Sequence, residues 1–61
     1  AALASEDAEA HNNLGVTLQE LSQFEEAEES YRKAIVIQPN FAQAYDNLGN
    51  TLKELGRLDE A

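Results

Sequence analysis

Cysteine is absent from the 61 residues, so no disulfide can staple the chain and no thiolate can hold a metal. The single histidine, His11, cannot make a metal site alone. A cysteine-free chain fits a reducing compartment and points to the cytoplasm, with the periplasm left open. No apolar run approaches the roughly 18–20 residues that a membrane helix needs. The opening Ala1-Ala2-Leu3-Ala4 is too short for a signal-peptide core and has no basic flank. Bases are scarce: four Lys and Arg stand against twelve Asp and Glu, for a net charge of −8. That balance argues against nucleic acid and anionic membranes as partners, because both need a basic patch. It favours a neutral or basic partner and otherwise describes a solvated acidic surface.

The ingredients of catalysis are missing too. His11 has no nucleophile to pair with, and no glycine-rich phosphate loop follows a strand. Carboxylates abound, but a helix surface offers no dry pocket to shift their pKa. The chain is therefore read as non-catalytic, with no cofactor and no metal. Its size sets a further bound, since a domain this small buries only about 60% of its unfolded surface and is marginally stable. The chain opens on Ala1 rather than methionine, which points to processing or to an excerpt of a longer protein.

What is present is helix-forming and repetitive. Ala, Leu, Glu and Gln fill the chain, and no alternating Val/Ile/Thr run suggests a strand. A shift of 34 residues lays Ala8–Ala27 on Ala42–Ala61 with eleven of twenty pairs identical, among them Asn13/Asn47, Leu14/Leu48, Gly15/Gly49, Thr17/Thr51, Leu18/Leu52 and Leu21/Leu55. A period of this length means one supersecondary unit per repeat, stacked on its neighbour. The predicted division is a lead-in over 1–7, a first repeat over 8–41, and a second repeat over 42–61 that is truncated in its second helix.

Each repeat reads as a helix pair. The first helix is predicted from Glu6 to Leu21, capped by Ser5, with an apolar stripe of His11, Leu14, Leu18 and Leu21. Ser22-Gln23-Phe24-Glu25 is a capping-box sequence that restarts the chain as a second helix to about Gln38, where Pro39 stops it. That helix is predicted to bury Phe24, Ala27, Tyr31, Ala34 and Ile35. Its Glu28→Arg32 spacing suits a surface ion pair. A third helix over Phe41–Leu55, with Asn40 to Gln43 at its cap, repeats the first. Gly56 is predicted to close it, with Arg57–Ala61 beginning a fourth. Gly15 and Gly49 fall mid-helix, where glycine costs roughly 1 kcal/mol against alanine. A close helix approach is the expected reason, with Ala27 or Ala61 as the small facing residue.

These residues resemble the tetratricopeptide repeat family, whose pattern is W-x2-L-G-x2-Y, then A-x3-F, then P. The chain reads His11-x2-Leu14-Gly15-x2-Leu18, Ala27-x3-Tyr31, Ala34 and Pro39, and again Tyr45-x2-Leu48-Gly49-x2-Leu52 and Ala61. His11 replaces the usual large aromatic, and Leu18 and Leu52 replace the usual tyrosine. The Asn-Leu-Gly run is similar to repeats of bacterial arrays and of the O-linked N-acetylglucosamine transferase arm. The resemblance implies an all-α fold of helix-turn-helix repeats, stacked as a short right-handed α-solenoid fragment. It implies a protein-interaction scaffold that presents a concave groove to a peptide or protein segment. Two alternatives are a non-catalytic, substrate-recruiting arm of a larger enzyme such as a glycosyltransferase, and a self-assembly module.

In the family, the stripe beside the buried one lines the groove. Here that stripe carries Glu9, Asn12, Asn13, Val16 and Glu20 on the first helix, and Gln43, Asp46, Asn47, Asn50 and Glu54 on the third. Amides donate and accept at once, as a peptide backbone does. Asn13 and Asn47, at one register, are the predicted backbone-holding pair. A family groove that grips a C-terminal carboxylate is rejected, because Asn12 and Val16 stand where a lysine and a second asparagine are needed and the nearby acids repel a carboxylate. The predicted core is Leu14, Gly15, Leu18, Leu21, Phe24, Ala27, Tyr31, Ala34, Tyr45, Leu48 and Leu52. Stripes uncovered at both repeat ends predict a homo-oligomer, formed end to end or by helix exchange.

Overall fold

A computed structural model describes the backbone of residues 7–60 and the side chains of residues 7–57. Three helices follow one another: α1 (Ala8–Glu20), α2 (Phe24–Ile37) and α3 (Ala42–Glu60). No strand occurs among the described residues, and the fold is all-α. The links are short, so successive helices run antiparallel. Helix α2 packs against both neighbours, and α1 also touches α3 along one edge.

Local chemistry explains each boundary. Asp7 caps α1, its carboxylate accepting from the Glu9 N–H at 3.0 Å, and Glu9 sits in the first turn where the helix dipole favours an acid. The cap is thus Asp7 rather than Ser5, which lies outside the described residues with Glu6. At the other end the Gln23 N–H bonds the Leu18 carbonyl at 2.8 Å and the Ser22 N–H bonds Gln19 at 3.0 Å. This crossed pair is a Schellman ending, and it needs a left-handed residue between the helices. Ser22 takes that conformation, with φ 65°. It does not form the predicted capping box, since α2 starts with Gln23 at its cap and no side-chain cap bond. Gln38 ends α2 in extended backbone, as the ring of Pro39 demands of the residue before it.

The third boundary departs from expectation. Gly56 matches Ser22 at the 34-residue register, yet it has no positive φ and α3 runs straight through it to Glu60. The Ser22 turn is held by α2 folding back on α1. No packed helix is described beyond Gly56 to hold a turn there, and α3 continues. The predicted fourth helix is absent among the described residues, and Ala61 lies outside them.

The core is built from small residues around one aromatic. Ala8, Ala27, Ala34, Ala44 and Tyr31 are buried, with Ile35 and Phe41 partly buried against the alanines. Gly15 lies under the Tyr31 ring: a β-carbon there would stand 2.5 Å from Tyr31 Cε1. The close approach is therefore glycine to tyrosine, not glycine to Ala27. Gly49 has open space in the same position.

Several leucines expected inside are not. Leu14 is 49% exposed, Leu21 62%, Tyr45 49% and Leu52 43%. Leu18, Phe24 and Leu48 are half-buried, as is His11. On α1 the row turned into the three-helix contact is Ala8, Asn12, Gly15 and Gln19, and neighbouring residues on a helix are about 100° apart. The His11–Leu21 stripe therefore sits round the cylinder from the contact. Buried polar residues take the remaining core places: Asn12, Ser30 and Thr51.

Candidate functional site

Two side-chain networks tie the three helices together and set the geometry of the edge where α1 meets α3. In the first, the Gln19 side-chain carbonyl accepts from the Tyr31 hydroxyl at 2.8 Å and from the Thr51 hydroxyl at 3.1 Å. One oxygen on α1 thus holds a donor from α2 and a donor from α3. Burial pushes the Tyr31 phenol above its ordinary value of 10.0, against a lowering by the Thr51 hydroxyl, and the Glu20 carboxylate pushes it further up. In the second network the Asn47 side-chain NH2 donates to the Asn12 carbonyl oxygen at 3.0 Å. Asn12 is only 2% exposed, so this bond satisfies an oxygen that water cannot reach.

Beside these bonds lies an open groove of about 390 Å3, lined by Val16, Gln19, Glu20, Phe24, Asn47 and Glu54. Val16 and Phe24 supply its half-buried apolar surface, and Gln19 and Asn47 supply amides. Glu20 and Glu54 sit at one repeat register and place a carboxylate on each helix. Glu54 makes a solvent-exposed contact with Arg57 at 3.6 Å, a pair of little strength in water.

Of the stripe residues named from sequence, Val16, Glu20, Asn47 and Glu54 line this cavity. Asn12 lies beneath it, spent on Asn47. Glu9, Asn13, Gln43, Asp46 and Asn50 are exposed and outside its lining. The register pair Asn13 and Asn47 thus splits: Asn13 stands in solvent, while Asn47 is half-buried with one donor engaged. Gln19 and Phe24 join the lining without having been anticipated. Gln19 could have been found, since it lies three residues beyond Val16 on the same face of the helix. Phe24 could not, because it reaches the groove only through the Ser22 turn.

A second groove of about 420 Å3 is formed by α1 and α2 alone, from His11, Arg32, Lys33, Val36 and Ile37. Arg32 is paired there with Glu28 at 2.8 Å, as the four-residue spacing predicted. No cluster of metal-binding side chains occurs among the described residues, and no helix is long and apolar enough to cross a membrane.

Two family models described as tetratricopeptide repeat match the chain, one over residues 8–41 and one over residues 30–61. Comparison with curated proteins and with solved structures returned no match. The two matches overlap on the second half of α2 and span 34 and 32 residues, each more than half of the 61. Together with the three-helix stack around Tyr31, they establish that the chain belongs to the tetratricopeptide repeat family.

Proposed function

We propose that the chain is a protein-interaction module that holds an extended protein segment in the groove between α1 and α3. Tetratricopeptide repeats are generally protein-interaction modules, which supplies the coarse function. The observation that carries the finer reading is the groove itself: two amides on an apolar base, on a frame already fixed by hydrogen bonds. Gln19 and Asn47 are positioned by their neighbours, so little side-chain entropy is lost when a ligand arrives. Asn47 has a second N–H and its own carbonyl for a passing backbone, since the asparagine amide has two donors and one acceptor oxygen.

The test is selection of peptides from a random library on the 61-residue chain, followed by NMR titration of the selected peptide. Shifts centred on Val16, Gln19 and Asn47 are expected. Shifts confined to other faces would contradict the groove. Asn47→Ala is a poor probe here, because it also strips Asn12 of its buried partner, at about 1–3 kcal/mol. Val16→Arg fills the groove without touching either network, and it should abolish binding while the melting temperature holds.

A second reading, self-assembly, has one observation behind it. Ala10, Leu14, Thr17 and Leu21 on α1 are all exposed, and they match by register the row with which α3 docks on α2. Sedimentation velocity at rising concentration should then show species heavier than one chain. A single-chain mass throughout would remove this reading.

A further inference from the structure

We infer that the segment held in the α1–α3 groove is basic, with a Lys or Arg side chain set between Glu20 and Glu54 and an adjacent apolar side chain resting on Val16 and Phe24. This rests on the groove reading above and names the chemistry of its occupant. The charges in the groove lining are both negative and come from the two helices that form its walls. A cation seated there has a carboxylate on either wall, and among the described residues Glu54 has an exposed contact with Arg57. The sign of the groove is not the mere average of an acidic chain. The groove formed by α1 and α2 is lined instead by Arg32 and Lys33, with Arg32 paired to Glu28 at 2.8 Å, so the two grooves differ in charge. Long-range and local fields agree at the α1–α3 groove. The net charge of −8 draws a basic segment in, and Glu20 and Glu54 orient it on arrival. At the α1–α2 groove the two oppose each other, because an acidic segment suited to Arg32 and Lys33 is repelled by the chain as a whole. The two apolar side chains suit an apolar neighbour of the cationic residue. A neighbouring groove also pairs apolar side chains with two acids, Glu25 and Glu26, but takes both from α2, whereas Glu20 and Glu54 face the segment from two helices.

The experiment uses three fluorescent octapeptides of one frame, each with a central leucine flanked by two lysines, two glutamines or two glutamates. Each is titrated into the intact chain, with binding followed by polarisation and its position by NMR. The lysine peptide is expected to bind most tightly and to shift Val16, Gln19 and Asn47. The glutamine form should be weaker and the glutamate form weakest. Glu20→Gln and Glu54→Gln should each weaken the lysine peptide roughly two- to fivefold, as partly exposed ion pairs do. Added salt should narrow the gap between lysine and glutamine peptides by screening. Circular dichroism checks that both variants keep their helices. Equal binding of all three peptides at the groove would overturn the basic preference and leave the groove reading intact. Lysine-peptide shifts confined to Glu25–Glu29 on α2 would also overturn it, as simple attraction to an acidic surface. A library selection whose peptides never touch the groove would instead overturn the groove reading itself.

Discussion

Helices α1 and α3 are near-copies in sequence, yet they turn opposite sides to α2. On α1 the contact row is Ala8, Asn12, Gly15 and Gln19, buried or half-buried, while Ala10, Leu14, Thr17 and Leu21 are exposed. On α3 the matching positions exchange roles: Ala44, Leu48, Thr51 and Leu55 are buried or half-buried, and Ala42, Asp46, Gly49 and Lys53 are exposed. A helix that can be flanked on either side must carry two packing faces, and here each copy has one of them filled. The contrast teaches that an apolar residue in a repeat marks a face available for packing. Whether that face is buried depends on the neighbour. It also places the groove: members of these rows meet across α1 and α3, Gln19 with Thr51 and Asn12 with Asn47, and the groove opens beside them.

The largest break in this arrangement comes from its centre. Tyr31→Ala removes the ring that fills the space above Gly15 and the hydroxyl bonded to Gln19. A buried aromatic cut to alanine costs about 3–5 kcal/mol. Native stability of a 61-residue chain is only a few kcal/mol at roughly 0.05–0.15 kcal/mol per residue. Loss of the cooperative thermal transition by circular dichroism is the expected outcome.

The same substitution at two matching positions sharpens the comparison next. Gly15→Ala drives a methyl into the Tyr31 ring, and overpacking of this kind costs about 1–3 kcal/mol, less the helix propensity gained. Gly49→Ala meets open space and should stabilise by about 1 kcal/mol. Opposite signs in denaturant midpoints are predicted, and matching signs would show that the two glycines share one environment.

Alkaline titration probes the Gln19 junction. The Tyr31 phenol is raised in the folded chain, so above pH 10 the unfolded chain loses its proton first. The stability linked to this group is full below pH 10 and falls as pH rises from there towards the folded value. Tyr31→Phe should flatten that alkaline decline, at a cost of about 0.5–1.5 kcal/mol near neutral pH for the lost hydrogen bond.

The smallest effects lie at the two turn positions. Ser22 is left-handed, which costs a non-glycine residue about 1 kcal/mol, so Ser22→Gly should raise the melting temperature slightly. Gly56 is helical, so Gly56→Ala should also raise it slightly, by helix propensity. A loss of stability from Gly56→Ala would mean that this position turns as Ser22 does.

The helices and their spacing were legible because the 34-residue identity and Pro39 are local signals. The buried faces were not. Leu14 and Leu21 read as core by hydrophobicity, whereas Ala8 and Asn12, small or polar, are the residues buried. Asn12 read as a groove residue for the same reason: nothing local shows that Asn47 will satisfy its buried oxygen. Val16, Glu20, Asn47 and Glu54 were found because the groove follows the helix period. Phe24 was missed because a turn delivers it. Gly56 misled because its preference for a turn needs a packed helix beyond it to be realised.

The central claim, that one sequence presents opposite faces to α2, is tested most directly by the solvent accessibility of matched methyl groups. Solvent paramagnetic relaxation enhancement on the pairs Ala8/Ala42, Ala10/Ala44 and Thr17/Thr51 reads both faces of both helices. The account predicts strong enhancement at Ala42, Ala10 and Thr17, and weak enhancement at Ala8, Ala44 and Thr51. Equal enhancement within each pair, or the reverse order, would contradict it.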